Sequence, residues 1–395
     1  MGAANKSTVR LTFPDGSTIR HWTTFTLRDT FTDPLGQLSF ECAPERKDRA
    51  KYRELLVKGQ LVTLLINDIS QGSFLITTVR KVFGPSGYTM SIECKSPLCT
   101  PYEGSVNPDL KISAQTDSPV TTAILEALAP YGFDRISGDG AASVGAITGR
   151  PIGKGKRAVN VKNLTAQEAH ANDSEAAYAF CSRIFSRLGV CLRMAPDGQL
   201  LVGAPDYDQE PSYALAQDPT GQAPGDYFFG DIEIVDTNDG QFSECRVRGQ
   251  PDDKAGTTTT GRPEAVVTAA SLNPSRPAYR GEGTAASPAA YKRLEIRDKN
   301  ARDVKRCESV AKLALGIRAK DAFVINGTVD GFVAKTGAIW QVNTTVDVYI
   351  AEESIQEKMW LAERVFTQNV KGGQTAKLRV VPLGSLVLGT DPGGG

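Results

Sequence analysis

The chain has 395 residues, 40% of them apolar and 23% charged, with 45 Lys+Arg set against 45 Asp+Glu. A chain of this length outgrows one hydrophobic core, so roughly two to four domains are expected. The even charge excludes the net basic footprint of a dedicated nucleic-acid binder, and the absence of any run of about 18 apolar residues excludes a helical membrane span.

The first hundred residues read as strands. Val9, Leu11 and Phe13 alternate with polar neighbours up to the Asp15-Gly16 turn, and Leu38 and Phe40 alternate across Ser39. Residues 60–67 and 73–83 form a stronger pair around a short Asp/Ser/Gln/Gly connection, and 88–94 continues the meander. A small antiparallel barrel over 1–98 is the simplest closure, because it leaves no strand edge exposed.

Helical signals begin after residue 100. Asp117-Ser118-Pro119 supplies a cap and a first-turn proline, Val120, Ile124 and Leu128 share a face, and Gly132 stops the run. A second helix follows Asn172-Asp173-Ser174, with Ala177, Cys181, Ile184, Phe185 and Leu188 at spacings of three and four before Gly189. Residues 190–194 and 199–202 then read as two strands joined at Pro196-Asp197-Gly198, which gives an α+β domain over 99–225.

Residues 231–235 and 242–249 look like strands, whereas 251–262, with four consecutive threonines, reads as a polar mobile loop. A helix over 300–317 places Val304, Cys307, Ala311 and Leu315 on one stripe. Strands return at 323–333, 339–350, 359–367 and 375–382, and the Gly-rich end at 386–395 reads as a flexible tail. The expectation is an α+β, β-rich fold with two small antiparallel β-barrels. The second is discontinuous, built from 226–250 and 322–385, and 251–321 is an insertion packed with the α+β domain.

Motifs for chemistry miss at named positions. His21, expected in a strand beside Trp22, and His170, before a helix, are the only histidines, so any Ser/His/Asp or Cys/His group would need one of them. The glycine-rich stretch 138–156 with Lys154, Lys156 and Arg157 invites a phosphate loop. Position 148 is Thr, position 150 is Arg, and no hydroxyl residue follows either lysine. Its basic continuation over 150–162 reads as a solvated face that could touch DNA in a channel. Asp236, Asn238 and Gly240 hint at a calcium loop, but Gly240, Gln241 and Val247 occupy the positions where an oxygen ligand, Gly and Glu are needed.

Asp206 and Asp208 are a conceivable carboxylate pair for glycoside hydrolysis, set in what reads as a solvated turn. Trp22, Trp340 and Trp360 fall in predicted strands, where a core or subunit interface outweighs a sugar platform. The seven cysteines, Cys42, Cys94, Cys99, Cys181, Cys191, Cys245 and Cys307, include no C-x-x-C pair and read as small core residues. Residues 1–10 lack the apolar core of a signal peptide, so folding in a reducing cytoplasm is expected. No catalytic, metal-ligating or cofactor-binding residue is assigned, and no cofactor is expected.

Several stretches taken in order resemble one family. They are 55–66 with Gly59, Gly72-Ser73-Phe74-Leu75-Ile76, the helix leading into Leu188-Gly189-Val190, and Pro196-Asp197-Gly198-Gln199-Leu200. After these come Phe242-Ser243-Glu244 through Val247-Arg248-Gly249-Gln250, then Trp340-Gln341-Val342-Asn343 and Pro382-Leu383. Their order resembles the Mu-like phage tail hub proteins, relatives of the late-control D and baseplate hub families, over nearly the whole chain apart from 251–262.

The resemblance implies two similar barrels per subunit and a homotrimer whose six barrels mimic sixfold symmetry. One face would meet the tail tube or a tube-initiator protein and the other a threefold central spike, with further baseplate proteins around them and DNA passing through the channel. It implies a structural component of the virion tail baseplate, assembled in the bacterial host cytoplasm, with no enzymatic role. The alternatives are a tail-associated cell-wall hydrolase, and a carbohydrate- or receptor-binding tail module.

Overall fold

The structure, a computed structural model, describes residues 7–85, 87–107, 109–110, 120–139, 171–187, 191–218, 225–228, 231–237, 239, 242–250, 262–268, 271, 292–298, 301, 303–319, 321–370 and 373–385. The fold is α+β and rich in strand.

The N-terminal part contains β1 (Val9–Thr12), β2 (Thr18–Ile19), β3 (Thr24–Thr30), β4 (Asp33–Cys42), β5 (Leu61–Ile66), β6 (Ile69–Gly84) and β7 (Gly87–Lys95), with the short helix α1 (Arg49–Leu55) after β4. Period-two burial explains why these segments are strands: Leu38, Phe40 and Cys42 of β4 point inward, as do Val62, Leu64 and Ile66 of β5 and Tyr88, Met90, Ile92 and Cys94 of β7. The β5–β6 turn is shorter than the sequence suggested. Asn67 and Asp68 alone make it, at φ 49° and 65°, the left-handed pair that suits a two-residue hairpin, so β6 begins at Ile69.

Gln71 is then an extra residue in the ladder, because Leu64 pairs with Gly72 while Leu65 pairs with Ser70. Gly72 accommodates this bulge at φ 143°, where a Cβ would lie 3.1 Å from the Phe74 ring.

The middle of the chain holds α2 (Cys99–Glu103), α3 (Val120–Leu128), β8 (Ile136–Asp139), α4 (Ala177–Arg187), β9 (Cys191–Met194) and β10 (Leu200–Gly203). β9 and β10 form the expected hairpin, and β8 joins parallel to β10. Ile124 and Leu128 of α3 and Phe180, Cys181 and Ile184 of α4 pack with Leu192, Leu200 and Val202 into one core. Helix periodicity placed Ile124, Leu128, Ala177, Cys181 and Ile184 correctly because each helix has a single partner face, while the side chains of Val120 and Phe185, and Leu188, lie outside the described residues.

Next come β11 (Tyr213–Gln217), β12 (Asp226–Tyr227), β13 (Glu233–Asp236), β14 (Glu244–Arg248), β15 (Glu264–Thr268) and β16 (Arg293–Arg297). The C-terminal part holds α5 (Val304–Ala319), β17 (Phe323–Asp330), β18 (Thr344–Ile350), β19 (Ile355–Asn369) and β20 (Gly373–Pro382).

Two pairings differ from the sequence expectation. The strand at 242–249, assigned there to the second barrel, is β14, and it lies between β15 and β16 in a separate three-stranded sheet. Its inward Cys245 and Val247 are covered by Cys307, Ala311 and Leu315 of α5, so that helix packs on its own sheet rather than on the α+β core. Val304, placed on the same stripe, is 56% exposed because it stands in the first turn, outside this contact. Conversely, β11, expected within the α+β domain, runs parallel to β18.

Apart from β14, the strands expected of both barrels are hydrogen-bonded into one 14-stranded sheet among the described residues, ordered β12-β11-β18-β19-β3-β4-β7-β6-β5-β1-β2, with β20, β17 and β13 branching from β19. β19 joins the two halves. Its first part pairs with β18 from Leu361↔Thr344 onward, and its second part pairs with β3 from Glu363↔Thr30 to Asn369↔Thr24. β20 accompanies it on the other side, with the register shifting between Leu361 and Glu363.

Candidate functional site

The handover on β19 is the most specific constellation of side chains in the described fold. Ala362 is the extra residue, and its carbonyl accepts the Phe31 N–H at 3.0 Å. An extra residue reverses strand parity. Met359 and Leu361 face the main core before it, and Arg364 and Phe366 face that core after it. The bulge therefore turns an arginine inward, where it is 4% exposed.

A buried guanidinium needs charge and hydrogen-bond partners. Arg364 Nε and Nη2 donate to Asp29 Oδ2 of β3 at 3.1 and 3.0 Å, and Nη1 donates to Gln71 Oε1 at 3.0 Å and to the Trp340 carbonyl. The guanidinium carbon lies 4.9 Å from the Phe366 ring centroid. Gln71 reaches this point because it is the bulged residue of β6, and its Nε2 donates to the Ile69 and Ser70 carbonyls at 3.2 Å each. Two bulges on distant strands thus meet on one cation.

The Trp340 carbonyl is fixed by its neighbours. Tyr213 of β11 donates its hydroxyl to the Ile339 carbonyl at 2.7 Å, accepts the Gln341 N–H at 3.0 Å, and sets its ring 4.5 Å from that of Trp340. Burial pushes the Tyr213 hydroxyl above its ordinary pKa, more than the Gln341 hydrogen bond and the nearby Arg364 lower it, so it stays a neutral donor.

Asn343 organises the opposite side of the handover. It sits at φ 65°, its Oδ1 accepts Trp360 Nε1 and the Asp206 N–H at 3.1 Å each, and its Nδ2 donates to the Ala204 carbonyl at 3.3 Å. Its backbone N–H reaches the Leu361 carbonyl at 3.0 Å, and Gln209 Nε2 caps its carbonyl at 2.7 Å.

A cavity of about 80 Å³ lies between the Arg364 cluster and the β9–β10 turn, lined by Asp29, Gln71, Arg193 and Pro196 among others. That is well below the roughly 300 Å³ of a small ligand pocket, so this junction has room for water rather than for a substrate. The arrangement is suited to holding two sheet halves in a fixed relation.

Among the described residues, those singled out from sequence do not converge on a reaction centre. His21 lies in the exposed link between β2 and β3, not in a strand, because the chain turns there to bring Trp22 against Phe25 at 6.1 Å. Its carbonyl accepts the Tyr52 hydroxyl at 3.5 Å. His170 lies outside the described residues.

Asp206 and Asp208 are exposed, and Asp206 serves through its main chain. Trp22 is half-buried in that same link rather than in a strand. Trp340 also lies outside a strand, in the turn before β18, while Trp360 is on β19. Trp340 and Trp360 are fully buried and offer no sugar platform.

Asp236 ends β13 and Val247 is buried in β14, while Asn238, Gly240 and Gln241 lie outside the described residues. Gly138 belongs to β8, and Gly140 onward through Thr148, Arg150, Lys154, Lys156, Arg157 and the basic stretch to 162 lies outside them, as do the loop 251–261 and the tail 386–395.

Among the described residues no three His, Cys, Asp or Glu side chains gather as a metal site, and no helix is long and apolar enough to cross a membrane. All seven cysteines are thiols. Burial pushes Cys42, Cys94 and Cys181 up to about 12 and Cys245 to about 11, so none of these four is activated as a nucleophile.

Sequence reasoning missed Arg364, Asp29, Gln71 and Asn343. The available signal was the break in alternation across Leu361-Ala362-Glu363-Arg364-Val365-Phe366, where period two cannot be kept without an inserted residue.

No family model and no curated protein matches the chain. Solved structures do. A tail protein from Neisseria meningitidis aligns over 98% of this chain and 99% of its own at a TM-score of 0.73 and 16% identity. The 43 kDa tail protein of prophage MuSo2 from Shewanella oneidensis aligns over 96% and 99% at 0.70 and 16% identity. The prophage tail protein gp18 from Listeria monocytogenes aligns over 94% of both chains at 0.53 and 9% identity. The agreement with the first two runs end to end, and the chain has the fold of these tail proteins.

Proposed function

We propose that the protein is the structural hub of a phage-type tail baseplate, acting as an oligomeric adaptor and not as an enzyme. The carrying observation is the end-to-end match to two tail proteins, one of them from a prophage, at TM-scores of 0.73 and 0.70. Such a match favours a role that uses the whole fold over one confined to a pocket. The geometry supports the reading, because an adaptor between a tube and a spike must transmit force without its halves shearing. Here one long strand, β19, runs through both halves and is locked by a buried ion pair at the change of partner.

In this reading three copies form a ring, each contributing two strand-rich halves, so that six similar units face a sixfold tube while the threefold symmetry suits a central spike. DNA passes through the central opening, and the protein resides in the virion tail baseplate after assembly in the host cytoplasm. Negative-stain imaging of the purified chain tests this. Rings with threefold or pseudo-sixfold outline and a central hole are expected, and a field of isolated globules at micromolar concentration would contradict it.

A further inference from the structure

The charge of the chain is balanced overall, 45 against 45, yet one end of the large sheet is strongly basic. α1 and its flanks carry Arg46, Lys47, Arg49, Lys51, Arg53 and Lys58 against Glu45, Asp48 and Glu54. The β6–β7 hairpin beside it adds Arg80 and Lys81 and loses its inward face beyond Val79. From Arg80 to Pro85 every residue is exposed, with Val82 at 52% and Phe83 at 75%. The two pieces form one surface, because the Arg49 guanidinium lies 5.0 Å from the Tyr88 ring centroid and the Tyr88 ring lies 4.8 Å from that of Phe83. An exposed phenylalanine at the tip of a hairpin that continues past the core, with cations on the same hairpin and on α1, has the composition of a protein contact rather than of a bare phosphate-binding face.

The register places its complement. The β6–β7 turn lies beyond Cys42↔Met90, toward the Thr24↔Glu41 end of β3 and hence the Asn369↔Thr24 end of β19. The β18–β19 turn lies off the opposite end of β19, beyond Ile350↔Ile355, and it exposes Glu352 and Glu353, with Asp347 also exposed on β18. The basic–aromatic tip and the acidic turn therefore stand off opposite ends of the ladder and at opposite sides of the β19 junction. Two complementary patches so placed on one chain make a heterologous, head-to-tail contact, the kind that closes a ring when the rotation per subunit allows it.

We infer that the β6–β7 tip with α1 docks on the β18–β19 turn of a second copy of this chain. The inference rests on the hub reading and names the surfaces through which the ring closes. Arg80 and Lys81 pair with Glu352 and Glu353 of the neighbour, and Phe83 is covered in the contact.

A charge swap tests it on the full chain, with molar mass read by light scattering and folding checked by circular dichroism. Arg80→Glu with Lys81→Glu on the hairpin is expected to weaken association at least tenfold. Glu352→Lys with Glu353→Lys on the turn is expected to do the same, and the four substitutions together restore the wild-type mass. Phe83→Ser, which leaves all charges in place, is expected to weaken association as well. If either one-sided variant keeps the wild-type oligomer, or the swap fails to restore it, the docking is overturned while the hub reading stands. A wild-type chain that is monomeric throughout overturns both. Hairpin variants that keep their mass but lose salt-sensitive retention on double-stranded DNA would assign the tip to nucleic acid and also overturn the contact.

Discussion

Arg364 of β19 grips a single carboxylate oxygen, Asp29 Oδ2 of β3, through both Nε at 3.1 Å and Nη2 at 3.0 Å. The two are register partners in the β19–β3 ladder just past the Ala362 bulge, and the same guanidinium also donates to the Trp340 carbonyl ahead of β18, so Arg364 couples the two halves of the sheet through side chains. Removing the cation leaves Gln71 Oε1 and the Trp340 carbonyl without this donor. Arg364→Ala is expected to cost about 3 kcal/mol, the lower end for breaking a buried pair, since the Asp29 side chain is 33% exposed and rehydrates in part. Arg364→Lys is expected to recover little of this, because an ammonium cannot serve all three acceptors in the plane of the fork. Urea unfolding of the three proteins is the measurement.

Asn343 supports the same junction from the other face. Its left-handed backbone favours Asn or Gly, and its side chain serves Trp360, Asp206 and Ala204 at once. Asn343→Gly keeps the backbone and loses the bonds, so it separates the two contributions. Asn343→Ala adds backbone strain to lost hydrogen bonds and is expected to cost about 2–4 kcal/mol, with Asn343→Gly roughly 1 kcal/mol milder. Thermal unfolding followed by tryptophan fluorescence reports it directly, because Trp360 is one of the partners.

The stability of the α4 region should depend on pH through Glu175. Burial would raise its carboxyl, but the hydrogen bonds from Arg183 and the Asn172 N–H outweigh it and hold the group below its ordinary value of 4.5. A carboxyl depressed in the folded state contributes stability that is present above the unfolded value and is lost as pH falls through the lower folded one. Wild-type stability is therefore expected to decline below pH 4.5, and Glu175→Gln to be less stable near neutrality with a shallower decline in that window. Urea midpoints measured from pH 7 down to about 3 separate the two curves.

The cysteines predict the opposite edge of the pH range. Thiols raised above their ordinary 9.0 in the fold, as burial makes Cys42, Cys94 and Cys181, contribute stability below that value that is lost as pH climbs through it. Alkylation at pH 8 is expected to modify the half-buried Cys191 first and to leave the six buried thiols intact until the protein unfolds. Mass spectrometry of the digested protein gives the order of labelling.

Strands and helices with one buried face were legible in the sequence, because their period is their burial. The β5–β6–β7 meander and the α4–β9–β10 unit fall where alternation and helical spacing put them. Partnership was not legible. The 242–249 strand was found, but nothing in Cys245 and Val247 says whether a sheet or α5 covers them, and β11 carries only the short pattern Tyr213-Ala214-Leu215-Ala216. The Arg364 site escaped for a physical reason: a bulge leaves no mark in composition and shows itself only as a polar residue on the wrong parity. Trp340 was read as a strand residue, yet it sits in the turn before β18, where hydrogen bonds from Tyr213 and packing rather than a ladder hold the chain.

Light scattering of the purified full chain, over a range of protein concentration and at moderate salt, addresses the central claim most directly. The hub account predicts a mass of about 127 kDa, three times the 42.3 kDa of the chain, that persists on dilution into the low micromolar range. A mass that stays at 42.3 kDa across that range would contradict it.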